Sequence, residues 1–346
     1  MSVTLHIAAE QWRGRVRRYT ENAAAAGVTV VPVAKGNGYG FGNAVLAAES
    51  ARLGVATIAA GTYEEVPAVA AAFGGDVLVL TPWRPGPATP GDERVVHTVS
   101  RLEDLRGLAA GDTRPRVVVE VLTSMRRHGV APGELDEVAK LIDAVRFEGF
   151  ALHLPLTGDH TAEATALARQ AFAAAPGAAR TVWVSHLTPA HAATVGRDTG
   201  AEIRLRVATA LWLGDRAGLA PKATVLDVHR VRRGETYGYR QRRCRRDGTL
   251  LVVAGGTAHG IAMQAPTAAS TLRQRATALA RGGLEAGGRA LSPFRVAGRQ
   301  RWFAEPPHMQ CSMIWLPDGV TPPVVGDEVD VEVRFTTTAF DTLVWG

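Results

Sequence analysis

A lysine at the end of an apolar run, with glycines packed behind it, is the feature of this chain best suited to chemistry. The segment is Val33-Ala34-Lys35-Gly36-Asn37-Gly38-Tyr39-Gly40-Phe41-Gly42. Residues 28–34 are apolar and rich in valine, which predicts a strand buried on both faces. A lysine leaving such a strand is desolvated. Burial penalises the ammonium, lowers its pKa and readies the amine for Schiff-base formation. Four glycines within seven residues let backbone approach a bound group closely. On spacing alone, the same glycines also describe an ordinary βα turn.

The elements that must position this lysine follow from the hydrophobic pattern. Apolar runs recur at 28–34, 55–60, 77–80, 95–99, 117–122, 147–154, 182–185 and 203–213. They are continuous rather than alternating, as buried parallel strands are. Helical stretches separate them near 8–16, 43–53, 62–72, 101–109, 133–144, 161–174 and 189–199. Thr188 followed by Pro189 reads as an N-cap and first helical turn. Eight strands interleaved with helices predict an α/β fold, a (β/α)8 TIM-type barrel. Its active face lies at the C-terminal ends of the strands, where Lys35 falls.

After Gly214 the pattern changes. Candidate strands at 223–231, 236–240, 249–254, 294–296, 311–316, 329–335 and 342–345 are separated by Gly, Pro and Asp, and only 267–281 keeps a helical period. The expected organisation is a barrel over 1–216 and a smaller, mostly-β C-terminal domain over 217–346, with 216–221 at the boundary.

The chain has 346 residues, 46% of them hydrophobic, which suits two domains. No run reaches the roughly 18 apolar residues of a membrane span. Residues 1–8 lack a basic region followed by an apolar core, so a cytoplasmic location and no membrane partner are expected. Cys244 and Cys311 make no disulfide framework. The net charge of +6 comes almost wholly from arginine, densest at 240–246. That run reads as a solvated strand-and-turn face, and no nucleic-acid partner is expected.

Lys-Gly-Asn-Gly-Tyr-Gly-Phe-Gly at 35–42 resembles the alanine racemase signature, lysine–alanine–asparagine–alanine–tyrosine–glycine–histidine–glycine. The resemblance implies a pyridoxal 5′-phosphate (PLP) barrel with a C-terminal β domain, with Lys35 holding the cofactor and Tyr39 contacting its phosphate. Further matches follow in order. The segment 120–129 is similar to the family's lysine–x–aspartate–threonine–glycine–methionine–x–arginine–x–glycine. It implies Arg127 as the contact to the substrate carboxylate, with Glu120 holding Arg127 in place. His153, in Leu-His-Leu, matches the histidine that stacks on the cofactor ring. Thr188 falls near a phosphate-binding hydroxyl, with Ser185 as its rival. Arg206 matches the residue facing the pyridine nitrogen, and Ala208 and Thr209 the backbone contacts to phosphate. Phe340 replaces a second phosphate-contacting tyrosine.

The resemblance fails at one base. The family's glycine–tyrosine–alanine–aspartate–glycine supplies a catalytic tyrosine from the partner subunit. Here the segment is Gly256-Thr257-Ala258-His259-Gly260, with Thr257 in the tyrosine's place. Two residues are candidates for the missing role. His259 lies two positions past Thr257, on the same face of an extended chain, and an imidazole suits general-base work. Cys311 lies on the substrate-proximal strand and acts as a thiolate if its pKa is lowered. Equally, His259 reads as a turn residue and Cys311 as a small buried hydrophobe. His308 and Cys311 face opposite ways in an extended strand, so no metal is expected. The implied function is a PLP-dependent enzyme acting on an amino acid, an isomerase, racemase or one-base catalyst, working as a homodimer. The alternative is a non-catalytic PLP-binding homologue with a regulatory or carrier role.

Overall fold

The computed structural model describes residues 2–86, 92–263 and 290–346. Two compact units emerge: Arg13–Asp215, and Met1–Trp12 together with Arg216–Gly346. Strand β1 (Val3–Ile7) and helix α1 (Ala9–Ala25) open the chain.

The first unit is a closed barrel. Its strands are β2 (Val28–Ala34), β3 (Thr57–Ala60), β4 (Asp76–Val79), β5 (Val95–Val99), β6 (Arg116–Val121), β7 (Arg146–His153), β8 (Thr181–Ser185) and β9 (Glu202–Val207). All neighbours pair in parallel, and β9 returns to β2 with Val31 opposite Arg206. Helices α2 (Asn43–Arg52), α3 (Val66–Ala70), α4 (Leu102–Ala109), α5 (Leu135–Ala139), α6 (Thr161–Ala174) and α7 (Pro189–Thr199) connect them. The helix expected over 62–72 divides into a 3-10 turn, Tyr63–Glu65, and α3, because Pro67 lacks the N–H that a continuous helix needs.

The run 203–213 is not a single strand. Beyond β9, Ala208 turns the chain (φ −119°, ψ −96°) into α8 (Thr209–Trp212). Leu211 and Trp212 are fully buried, and Trp212 Nε1 donates to Val33 O at 2.8 Å. Seating a large ring in the core, not strand propensity, decides the local conformation.

The barrel interior explains where the polar residues lie. Val31, Val33, Ala59, Leu78, Val96, Val118, Ala151 and Trp183 form one buried cluster. Side chains alternate faces along a strand, so the next inward position is two residues on. Those positions hold Lys35 after Val33, Glu120 after Val118, His153 after Ala151 and Ser185 after Trp183. An apolar plug therefore carries a polar layer at the C-terminal mouth.

The second unit holds β10 (Leu219–Val231), β11 (Thr236–Tyr237), β12 (Arg242–Arg243), β13 (Gly248–Ala254), β14 (Leu291–Val296), β15 (Arg299–Phe303), β16 (Cys311–Pro317), β17 (Glu328–Val331) and β18 (Thr342–Trp345). Its main sheet runs β13-β16-β15-β14-β17-β10-β1-β18, and β10 also pairs with β13. The first twelve residues thus belong to this unit rather than to the barrel, because β1 pairs antiparallel with β10 and parallel with β18. Phe294, Ile314, Leu251 and Val253 centre its core. The strand expected over 236–240 stops at Tyr237, and within the arginine run only Arg242–Arg243 are strand, pairing back with Thr236–Tyr237. Strand β15 is unforeseen, since Arg-Gln-Arg-Trp-Phe carries no β-branched residue. Its signal is the two-residue turn Ala297-Gly298, both at positive φ, which joins it to β14. The helix expected over 267–281 lies outside the described residues. Among the described residues, no helix is long and apolar enough to cross a membrane.

Candidate active site

Lys35 follows β2 directly and opens into the barrel mouth. Partial burial is the largest cause lowering its pKa; the guanidiniums of Arg127 and Arg206 lower it further, and Glu65 opposes them. Glu65 organises the loop behind it. Its Oε1 accepts from Gly36 N at 2.7 Å and its Oε2 from Gly61 N at 2.8 Å, tying the loop after β2 to the end of β3. Gly61 has no room for a side chain: a Cβ there would lie 2.8 Å from Lys35 Cβ. Tyr39 sits buried in the turn Gly38–Gly40 with φ of 55°. Burial, then the Glu65 charge, push its phenol up to about 12.

Glu65→Gln keeps one acceptor and leaves one of the two backbone donors unpaired. It is expected to cost about 1–3 kcal/mol. Amide hydrogen exchange should speed up at Gly36 or Gly61; unchanged exchange at both would show that Glu65 does not hold the loop.

Across the mouth, His153 ends β7. Its Nδ1 lies 2.9 Å from Ser185 Oγ, and Thr123 Oγ1 donates to its carbonyl at 2.6 Å. Burial, then Arg206 and Arg127, hold its imidazole neutral, down to about 2. His186, at φ of 63°, donates from Nδ1 to Leu154 O at 2.8 Å and packs edge-on against His153 at 4.9 Å. Arg206 is 6% exposed; its Nη2 donates to Leu152 O at 2.9 Å, while its Nε is buried with no partner among the described residues. Burial pushes this guanidinium down and the Glu120 charge supports it. Glu120, 3% exposed, is raised by burial; Arg206 is the strongest of the cations opposing that. The expected Glu120–Arg127 clasp is therefore different: Glu120 answers Arg206 first, and Arg127 stands exposed with no ion pair among the described residues.

Thr188 caps α7, accepting from His191 N at 3.2 Å, and is exposed, whereas Ser185 is buried against His153. Ala208 and Thr209 stand at the start of α8, beyond β9. One strand-end layer thus gathers Lys35, Glu120, His153, Ser185 and Arg206.

Comparison with known proteins identifies the family and the fold that carry this layer. The model of the family described as alanine racemase, N-terminal domain, matches residues 7–205. The chain belongs to the alanine racemase family. No curated protein sequence matches it. Among solved structures it resembles alanine racemase from Bartonella henselae with covalently bound pyridoxal phosphate, at 16% identity and a TM-score of 0.72, over 100% of both chains. It also resembles alanine racemase from D-cycloserine-producing Streptomyces lavendulae, at 18% identity and 0.70, over 100% of this chain and 97% of that one. A third likeness is alanine racemase of Clostridium difficile 630, at 16% and 0.71, over 96% and 87%. The barrel followed by a mostly-β unit is the fold these racemases share with this chain.

At the segment expected to correspond to the family's tyrosine, the C-terminal unit departs from extended chain. Thr257–His259 is a 3-10 turn, so the two side chains diverge: Thr257 is exposed, and His259 is 7% exposed. His259 Nδ1 accepts from Gly256 N at 3.3 Å, which leaves Nε2–H to donate to Asp341 Oδ1 at 3.2 Å. Both ring nitrogens are engaged in holding the turn. Cys311 is half-buried at the start of β16. His308 precedes that strand, and its N–H donates to Cys311 O at 2.9 Å. This turn, rather than extended chain, brings the two side chains to the same side, Cys311 Sγ lying 3.8 Å from His308 Nδ1. Phe340 packs against Phe335 at 5.9 Å.

Glu65 and His186 escape sequence reasoning. Glu65 looks like one more acid in the first turn of a helix. His186 follows a strand end without a pattern of its own. Neither carries a local signal, because each acts on backbone groups distant in sequence.

Proposed function

We propose that the chain binds PLP through Lys35 and acts on an amino acid, by racemisation, isomerisation or a one-base reaction. The observation carrying this reading is the buried, unpartnered Nε–H of Arg206, on the same strand-end layer as Lys35. A buried unpaired donor costs about 1–3 kcal/mol. A pyridine nitrogen, an acceptor without a proton of its own, fits it. The Bartonella henselae relative has covalently bound pyridoxal phosphate, which supports the same attachment here.

Lys35 would hold the cofactor covalently, and His153, neutral, would stack on its ring without adding charge. Tyr39, Thr188 and the amides of Ala208 and Thr209 would hold its phosphate. The Thr188 hydroxyl still has its proton to donate while it accepts from His191. Phe340 offers no hydroxyl for that purpose. Arg127, exposed and without an ion pair among the described residues, would take the substrate carboxylate. Bound PLP supplies the electron sink for chemistry at the amino acid's α-carbon. Arg206 has donors and no acceptor, so it keeps the ring nitrogen unprotonated and the sink weak. Lys35 is then one base, and Cys311 is a freer second base than His259. A homodimer would bring the C-terminal unit of one copy to the barrel of the other.

The test is a titration of purified protein with PLP, read by visible absorption, followed by borohydride reduction and peptide mapping. A band that appears and an adduct on the peptide containing Lys35 are expected. No band at saturating PLP would remove the cofactor from this reading. Thr257→Tyr should raise alanine racemisation on the order of 100-fold, the usual contribution of a positioned acid–base group. A folded, PLP-loaded variant with no gain, measured by chiral chromatography, would count against Thr257 as the position of the missing base.

A further inference from the structure

Glu305, His308 and Cys311 line the wall of a pocket of about 640 Å³ in the C-terminal unit. Glu305 is 3% exposed. Its Oε1 lies 2.7 Å from His308 Nε2, and its Oε2 accepts from Tyr239 N at 3.0 Å. A carboxylate only accepts, so Nε2 carries the imidazole proton and Nδ1 presents its lone pair. That lone pair faces Cys311 Sγ at 3.8 Å. The exposed Tyr239 ring lies 4.5 Å from the imidazole, tilted 45° to it. A thiol, a base beside it and a buried carboxylate orienting that base form the arrangement that activates a nucleophile. Arg240 lines the same pocket, is exposed, and makes no ion pair among the described residues.

We propose that Glu305, His308 and Cys311 form a proton relay that makes Cys311 a reactive thiol toward small carboxylates held by Arg240. The proton passes from Sγ to His308 Nδ1, the electron pair of the S–H bond stays on sulfur, and Glu305 stabilises the imidazolium. Burial and the Glu305 charge hold the lone thiol above its ordinary range, so its reactivity near neutral pH depends on that transfer. The use of this thiol on an amino acid rests on the function proposed above; its activation does not.

Iodoacetate is a small carboxylate with an electrophilic carbon and serves as the probe. The sulfur–carbon bond forms, the carbon–iodine bond breaks and iodide leaves with its electron pair. Alkylation of the full chain, without added PLP, is followed at Cys311 by peptide mass spectrometry, with buried Cys244 as reference. Cys311 should react on the order of 100-fold faster than in His308→Gln or Glu305→Gln, the lower end of what a positioned base contributes. Iodoacetate should outpace iodoacetamide, and Arg240→Ala should remove that preference. Added imidazole should restore the rate in His308→Ala, which a merely structural role would not permit. Equal rates in the wild type and the folded glutamine variants would overturn the relay. If the His308 variants do not fold, Glu305→Gln decides alone, since its amide oxygen still accepts from Tyr239 N. Absence of an iodoacetate preference would overturn the carboxylate assignment. A failed PLP titration leaves these outcomes unaffected, so the two readings fail separately.

Discussion

Lys35→Ala is expected to abolish covalent retention of PLP. The borohydride-trapped adduct should disappear completely, because Lys140 and Lys222, the other two lysines, lie outside the mouth layer. An adduct of undiminished yield on either of them would remove Lys35 from the cofactor site. The same variant reports on the charge at the mouth. Partial burial and two guanidiniums hold the folded Lys35 pKa below its unfolded value of about 10.4. Below the folded pKa, both states hold the proton and the cost of keeping an ammonium there is fully present. Between the two pKa values the unfolded chain holds more protons, so wild-type stability rises with pH. Relative to Lys35→Ala, the apo wild type should therefore gain stability from neutral pH toward pH 10. The gain is small, because the amine still reaches water. Urea midpoints of both proteins at the two pH values test this; a difference that does not move with pH would show that the mouth imposes no charge penalty.

The barrel was legible because its strands are buried on both faces. A run such as Val77–Leu80 has no polar side to hide, so continuity and β-branching locate it. Of the mouth residues, Lys35 stood out on its own as a polar side chain closing an apolar run, whereas His153 and Arg206 were picked out through the resemblance to the racemase motifs. What escaped depends on contacts across the fold. Trp212 extended an apolar run on paper but turns into the core as part of a short helix. β1 has strand character, yet nothing local says that its partners are β10 and β18, which lie more than two hundred residues on. In the C-terminal unit, the extended-chain rule misplaced both His259 and His308, because each lies in a turn fixed by backbone hydrogen bonds to distant segments.

The loop carrying Arg127 rests on Gly129, and Gly129→Ala should be the most destabilising of these substitutions. Beyond β6 the chain loops out and returns against the same strand: Leu122 N donates to Val130 O at 2.9 Å, and Val130 N donates to Glu120 O at 2.8 Å. Gly129 stands where the returning chain presses on the outgoing one, with φ of +133°. A Cβ there would lie 2.3 Å from Leu122 N and 2.5 Å from Val121 C, both backbone atoms that cannot swing aside. The φ alone costs about 1–3 kcal/mol in a residue with a side chain, and the overlap adds about as much. A loss on the order of 3 kcal/mol or more is expected in thermal or urea unfolding. Gly133→Ala is the control: no atom lies within 4 Å of its Cβ and its φ is not positive, so it should be neutral or slightly stabilising. Equal effects at the two glycines would mean that the chain does not return against β6 as closely as described. A large loss at Gly129 alone would tie Arg127 and buried Glu120 to one closure. Arg127, without a carboxylate partner among the described residues, is then positioned by backbone hydrogen bonds on either side of it, and its guanidinium remains available to a ligand.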